Sequence, residues 1–181
     1  MIINVAPLLK ESVGAVVDFH IDEDPIDPRG ENAGLREANA TSIDADVQAT
    51  HTNPGAYLEG GADARIELEC GRCLRMFEAP VHADFAEQYY QTIGVANGEP
   101  LAEPPRDAKT IGSDFKIDLT PLLREELILA TPLAPLHAPD CKGLCETCGR
   151  DLNVDPHTHD SPTDERWAKL QALKDFHAER D

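Results

Sequence analysis

Apolar and polar residues alternate along four stretches of the chain with a period of two. Each stretch has an apolar residue at every second position and mostly charged or polar residues between them. This period is typical of a β-strand with one buried face and one solvated face. The stretches are 17–21, 43–49, 64–70 and 77–85. Together they predict a mostly antiparallel, twisted sheet with one wet face.

Turn-forming residues separate the predicted strands. Asn-Pro-Gly at 53–55 predicts a turn, and the glycine pair within 59–62 predicts a hairpin tip. An acidic, proline-rich loop is predicted at 22–31. Glycines and prolines break any regular element across 91–112, which predicts a long and mobile loop. A short strand is predicted at 115–118.

Helical spacing first occurs after this short strand. A helix is predicted over about 120–130, with Thr120 as the N-cap and Pro121 as the first helical residue. Thr131 is predicted to end the helix because it precedes a proline. The apolar stripe consists of Leu119, Leu122, Leu123, Leu127 and Ala130. A similar start signal at 161–164, followed by helically spaced apolar residues, predicts a C-terminal helix.

The chain is acidic, with a formal net charge of −18. This charge argues against a simple electrostatic footprint on nucleic acid, which requires a basic surface. It leaves two interpretations open, bulk solvation and a basic protein partner. The first six residues lack the features of a signal peptide, and no run approaches the length of a membrane span. We therefore expect a cytoplasmic protein with no membrane partner.

Cysteine and histidine cluster near the C-terminal end of the sequence. Cys145 and Cys148 form a CxxC pair, and the following glycine tolerates the positive φ that a sharp turn between two ligands often needs. His157 and His159 form a second pair. Two thiolates and two imidazoles make the full tetrahedral set of a closed structural zinc site.

A second CxxC pair, Cys70 and Cys73, lies between two predicted strands. Combining it with His137 and Cys141 gives a second set of four zinc ligands and uses every cysteine. Two alternatives stay open: a redox pair, although the flanks offer no helix N-terminus to lower a thiol pKa, and two inert cysteines at a strand edge. The remaining histidines are interpreted as surface or satisfied polar positions; they are His20, His51, His82 and His177.

These patterns predict an α+β fold. It comprises a mostly antiparallel twisted sheet, a packed helix, a zinc-knuckle segment and a C-terminal helix. We predict a β-rich core domain with one helix at 1–136 and a Cys/His zinc-binding segment with the C-terminal helix at 137–181. Two zinc ions are predicted. The sequence contains no HExxH motif, Gly-rich phosphate loop, nucleophile elbow or dinucleotide-binding fingerprint. Closed zinc sites offer no position for a water nucleophile, and no small-molecule substrate is predicted.

Three segments resemble the YceD family, the large ribosomal RNA subunit accumulation proteins. The first is E-L-E-C-G-R-C-L at 67–74. The second begins I-D-L-T-P-L-L-R-E-E-L and spans 117–137, and the third is the Cys-rich stretch at 141–153. The resemblance covers roughly 40–175. It implies that the 145–159 cluster is an accessory brace, because some family members lack it.

The resemblance implies a role in the synthesis, processing or stability of large-subunit (23S) ribosomal RNA. It implies a non-enzymatic ribosome biogenesis factor whose partner is the large-subunit rRNA precursor or a basic ribosomal protein. The acidic loop 22–31 and the segment 91–112, predicted to be mobile, are the predicted contact points. The alternative is a CxxC thiol-disulfide or metal-dependent enzyme that uses Cys70 and Cys73.

Overall fold

The computed structural model describes residues 1–23 and 40–159. The chain divides into two compact units, Met1–Pro139 and Asp140–Asp181. Most of the predicted acidic loop and the whole of the predicted C-terminal helix lie outside the described residues. The predicted division into 1–136 and 137–181 stays a prediction. None of the helices in the described part of the chain is long and apolar enough to cross a membrane.

The first unit contains seven strands and two helices within the described residues. In chain order they are β1 (Ile2–Asn4), α1 (Ala6–Lys10), β2 (Val16–Glu23), β3 (Ala40–Thr52), β4 (Gly55–Glu69), β5 (Met76–Gln91), β6 (Lys109–Ile111), β7 (Lys116–Asp118) and α2 (Thr120–Ala130). A five-stranded sheet has the order β2-β3-β4-β5-β6, and β1 pairs with β7 in a separate two-stranded sheet. All pairs are antiparallel except β5 with β6. The predicted α+β fold is confirmed.

The period-two alternation holds along the long strands. Positions on β3 alternate between buried and exposed, and their antiparallel partners on β4 and β5 repeat the pattern. The buried positions share one hydrophobic core with both helices. Helix α2 packs on β5 and β4, and α1 packs on β3. One face of the five-stranded sheet therefore packs against the helices, while the other face is polar and exposed to solvent, as the sequence predicts.

The predicted hairpin tip at 59–62 is wrong, because these residues lie in the middle of β4. Gly60 pairs with Val47 on one side and with Phe85 on the other. A Cβ atom at Gly60 would collide with the carbonyl oxygen of Asp46. The glycine thus permits a close approach between neighbouring strands rather than a turn. The turn predicted at 53–55 is present between β3 and β4.

The loop predicted across 91–112 is also partly wrong. Its last residues form β6, which pairs in parallel with the end of β5. Ile111 is fully buried, and Lys109 Nζ lies 3.0 Å from the carboxylate of Glu87 on β5. Three residues are too short to show a period, so the sequence pattern gives no signal for this strand.

Helix α2 ends at Ala130 as predicted, but its start differs from the prediction. Thr120 is the first helical residue and not the N-cap. The carboxylate of Asp118 accepts the Thr120 N–H at 3.0 Å, and it therefore satisfies a donor of the first turn. Thr120 Oγ1 accepts a hydrogen bond from the amino group of Met1 at 3.1 Å. The side chain of Asp118, and not that of Thr120, therefore accepts a hydrogen bond from the N-terminus of the helix.

Carboxylates cover the solvated face of the sheet across β2, β3, β4 and β5. Three neighbouring rows of cross-strand partners define what we call the acidic face. The rows are Asp18, Gln48, Glu59 and Ala86; His20, Asp46, Gly61 and Asp84; and Asp22, Asp44, Asp63 and His82. Seven of these twelve residues are acidic, and none is lysine or arginine.

The two histidines of the acidic face each contact two carboxylates. His20 Nδ1 lies 2.9 Å from Asp46 and 3.7 Å from Asp44. His82 lies between Asp63, 3.0 Å from Nδ1, and Asp84, 3.2 Å from Nε2. The hydrogen bond to Asp63, followed by that to Asp84, raises the pKa of His82 above its usual 6.5. The interpretation of both histidines as satisfied surface positions agrees with these contacts.

Replacing His82 by glutamine is expected to lower stability more at acidic than at alkaline pH. A raised folded-state pKa means that protonated His82 stabilises the folded protein below about pH 6.5 and loses this contribution as the pH rises through the folded value. Urea unfolding at about pH 5.5 and about pH 8.5 measures the wild-type-minus-variant difference. The control is His51→Gln, whose ring Nδ1 faces the Glu11 carbonyl rather than a carboxylate. A His82→Gln deficit of equal size at both pH values would contradict the expectation.

Candidate metal centres

The first CxxC pair lies in the tight turn between β4 and β5. The Cys70 N–H donates to the carbonyl of Arg75 at 2.9 Å, and the Leu74 N–H donates to the carbonyl of Cys70 at 2.9 Å. Leu74 has a φ of 58°, in the left-handed region. The predicted order of strand, knuckle and strand is therefore present. No helix follows this CxxC pair directly, so a helix dipole does not act on its thiols.

The second CxxC pair adopts the same turn in the second unit. The Cys145 N–H donates to the carbonyl of Arg150 at 2.8 Å, and the Gly149 N–H donates to the carbonyl of Cys145 at 2.8 Å. Gly149 has a φ of 72°, which is the conformation expected of the glycine after the second cysteine. A hydrogen bond between the Leu152 N–H and the Gly143 carbonyl at 2.9 Å closes this knuckle.

Leu74 occupies in the first knuckle the position that Gly149 occupies in the second. A left-handed conformation costs a residue with a Cβ about 1–2 kcal/mol relative to glycine, and the Leu74 side chain is 57% exposed. The CxxC spacing alone does not reveal this strained position. Comparison with the second knuckle does, because the matching glycine marks where a positive φ is needed.

Three predicted ligands of the first set come together around His137 in the first unit. Its Nδ1 atom lies 3.4 Å from the sulfur of Cys70 and 3.4 Å from that of Cys73. Cys141, the fourth predicted ligand, belongs to the second unit. The Gly71 N–H donates to the Pro135 carbonyl at 2.8 Å, which holds the segment after α2 against the knuckle. All three cysteines are buried, and His137 is half-buried.

The predicted second set also forms a group. The ligand atoms of Cys145, Cys148, His157 and His159 lie within 4.8 Å of one another. The sulfur of Cys148 is 3.1 Å from His157 Nε2, and the two imidazole rings meet edge to face with their centroids 4.9 Å apart. Cys145 is buried, whereas Cys148 and His159 are exposed. This group is therefore more open to solvent than the first.

The spacing of the ligand atoms fits a small tetrahedral ion. With Zn–S bonds of about 2.3 Å and Zn–N bonds of about 2.0 Å, sulfur and nitrogen ligands lie about 3.5 Å apart along the edge of a tetrahedron. The sulfur–nitrogen distances of 3.1 and 3.4 Å are close to that edge. Two groups of Cys and His side chains in the described residues could therefore each hold a metal ion.

Hydrogen bonding favours the thiolate form in both groups. The contact with His137 lowers the pKa of Cys70 to about 5 and outweighs burial, which acts in the opposite direction. Backbone N–H groups of the turn, that of Cys148 first, lower the pKa of Cys145 to about 6. Thiolate is the form that binds metal, so each group has at least one ligand prepared at neutral pH.

Two further contacts orient predicted ligands, and the sequence pattern gives no reason to single these contacts out. The Asn153 side-chain N–H₂ lies 3.5 Å from the sulfur of Cys141. His157 Nδ1 lies 2.7 Å from the carbonyl oxygen of Asp155, so that the donating Nδ1–H leaves Nε2 to face Cys148. Such partners fix the tautomer and the orientation of a metal-binding histidine. Both come from the short turn after the second knuckle, which has no period or spacing that predicts a function.

These features define a class of protein: an α+β protein with two knuckle turns, each part of a Cys/His group that could hold a metal ion. The chain belongs to the YceD family. The family model, described as large ribosomal RNA subunit accumulation protein YceD, matches residues 58–174. This match includes both CxxC pairs and every residue of the two groups.

Curated proteins similar to this chain include several from mycobacteria. Proteins of Mycobacterium bovis and Mycobacterium tuberculosis, both described as uncharacterized, are 28% identical to it over 130 residues, which cover 71% of this chain and 60% of each relative. A Mycobacterium leprae protein, also described as uncharacterized, is 30% identical over 129 residues, 71% of this chain and 57% of the relative. The chain therefore spans about three fifths of the length of these relatives. No solved structure matches it.

Proposed function

We propose that this protein is a non-enzymatic ribosome biogenesis factor that supports the accumulation of large-subunit ribosomal RNA and carries two structural zinc ions. The family match over 58–174 is the observation that carries the proposal, because the family's description names this role. The proposed place of action is the cytoplasm. The proposed partner is the large-subunit rRNA precursor or a basic ribosomal protein bound to it.

Zinc is the proposed metal because of the donor sets. One set has three sulfurs and one nitrogen, and the other has two of each. Soft thiolates with imidazole in a tetrahedral arrangement favour zinc over hard cations such as magnesium. Four protein ligands leave no open position for substrate or water, so each ion would be structural. The proposed ligands are Cys70, Cys73, His137 and Cys141 for one ion, and Cys145, Cys148, His157 and His159 for the other.

A supporting role fits the chemistry better than catalysis does. Cys70 and Cys73 are both buried, at 0% and 7% exposure, whereas a redox pair must present a sulfur to its substrate. The net charge of −18 favours contact with the basic protein components of a precursor particle over contact with bare RNA phosphates. Association through charge of this kind weakens as salt screens it over about 8 Å at physiological ionic strength.

Depletion of the protein from growing cells is expected to lower large-subunit rRNA relative to small-subunit rRNA. Re-expression of the wild-type chain should restore the ratio. The measurement is quantification of both rRNAs and of their precursors after depletion. An unchanged ratio, with growth otherwise impaired, would refute the proposed function.

A further inference from the structure

We propose that the acidic face of the five-stranded sheet binds an extended, lysine- or arginine-rich segment of a partner protein. This face lies outside both metal groups, and its twelve positions come from the central part of four strands. The choice of a ribosomal protein as the source of the segment rests on the proposed function. The surface and the chemistry that it recognises rest on the sheet alone.

The arrangement of charges on the acidic face destabilises the folded sheet. Asp22 pairs directly with Asp44, and Asp44 pairs directly with Asp63 on the next strand. Like charges at directly opposed positions destabilise a sheet. His20 and His82 relieve part of this repulsion through their contacts with neighbouring carboxylates. Arrangements that disfavour folding without a local gain are expected at functional sites.

The dimensions of the acidic face match an extended polypeptide. Alternate residues on a strand lie about 6.8 Å apart, so the three rows are separated by the same distance as side chains i and i+2 of an extended segment. A segment that follows the strand direction, with a basic residue at every second position, would place one cation over each row. Four strands at about 4.8 Å spacing make the patch about 14 Å wide.

A groove lies over the first two rows of the patch, on β2, β3 and β4. It has a volume of about 520 Å³, and its lining includes Asp18, Gln48 and Glu59 from one row and His20, Asp46 and Gly61 from the next. Gly61 has no side chain, and a Cβ atom there would lie 3.1 Å from the ring of His82. A glycine inside a strand often marks a place where another chain approaches closely. The groove would accept the aliphatic part of a lysine or arginine, with carboxylates on both sides.

Other occupants fit the acidic face less well. A second copy of this chain would bring another charge of −18, and nucleic acid would bring phosphates. The carboxylates are spread along the rows, and the groups of three or more ligands that could hold a metal in the described residues are the two Cys/His groups. Residues 24–39 and 160–181 of the chain itself each have more acidic than basic side chains. Charge complementarity selects a basic polypeptide.

Two variants with the same change in net charge separate the acidic face from general attraction. The face variant is Asp22→Asn, Asp44→Asn and Glu59→Gln, three substitutions at exposed positions. The control variant is Glu99→Gln, Glu103→Gln and Asp107→Asn, also exposed, in the segment that the sequence offers as a contact point. The probe is a fluorescent peptide of about twelve residues that alternates lysine with threonine, titrated with the full zinc-loaded chain in a salt series.

The face variant is expected to bind the peptide about tenfold more weakly at low salt, while the control variant binds like the wild type. The face variant should also unfold at an equal or higher urea concentration, because both directly opposed like-charge pairs, Asp22 with Asp44 and Asp44 with Asp63, are removed. Weaker binding would therefore not reflect misfolding. Equal weakening in both variants, loss in the control alone, no binding, or tighter binding of a deproteinised rRNA fragment would each overturn the proposal. If the peptide binds to the acidic face but depletion leaves the rRNA ratio unchanged, the proposed function is refuted, whereas the proposed binding surface is not.

Discussion

Protein purified without chelator is expected to contain two zinc ions per chain, and removal of both is expected to unfold a large part of it. Binding of structural zinc is worth on the order of 10 kcal/mol in small modules, which is comparable with the whole folding free energy of a typical domain. The measurement is elemental analysis of the purified protein, followed by thermal unfolding with and without a strong chelator. We expect a zinc-to-chain ratio near two and a large drop in the unfolding temperature on chelation.

Single substitutions assign each ion to its group. Cys73→Ser and Cys148→Ser should each reduce the ratio to near one, because each removes a ligand from a different group. A wild-type ratio near one would mean that only one of the two groups binds zinc, and a ratio near zero would refute the assignment of both metal sites. Alkylation distinguishes the enzyme alternative: zinc-bound cysteines should react slowly until chelator is added, whereas a redox pair should react at once and cycle with a dithiol.

The period-two pattern predicts the sheet well because the two faces of its strands differ strongly from each other in polarity. Along β3, Ile43, Ala45 and Val47 are buried, while the aspartates between them are exposed. The metal-binding candidates are equally visible, since CxxC spacing requires only a local turn to bring two sulfurs together. The grouping of His137 with a cysteine pair more than sixty residues away follows from counting ligands, and the structure places these side chains together.

Features that depend on tertiary contacts are not visible in the sequence. Gly60 has the composition of a turn, but the neighbouring backbone of Asp46 makes it a position of close approach. β6 is only three residues long, and its pairing with β5 defines it. The positive φ of Leu74 follows from closure of the knuckle and contradicts the local preference of leucine. The acidic face emerges only when the register places Asp22, Asp44 and Asp63 in one row.

The two metal groups are expected to stabilise different parts of the chain. Cys73 is buried between β4 and β5, the strands that carry much of the core, and His137 ties the segment after α2 to the same knuckle. Losing a ligand here would open a closure between segments far apart in sequence, which removes a large constraint on the unfolded chain. His159 is exposed, and the residues of its group lie between positions 145 and 159. Its group closes only a short loop.

Hydrogen exchange on zinc-loaded Cys73→Ser and His159→Ala tests this difference. Cys73→Ser should lose amide protection throughout β3, β4 and β5, with a destabilisation of several kcal/mol, because it loses the first ion and a closed site is worth roughly 10 kcal/mol. His159→Ala should lose protection mainly within 140–159. The control is the same comparison in chelator, where Cys73→Ser and wild type should become similar if Cys73 acts through the metal. Equal, global loss of protection in both variants would contradict a core site with a separate brace, and the second group would then be as central to folding as the first.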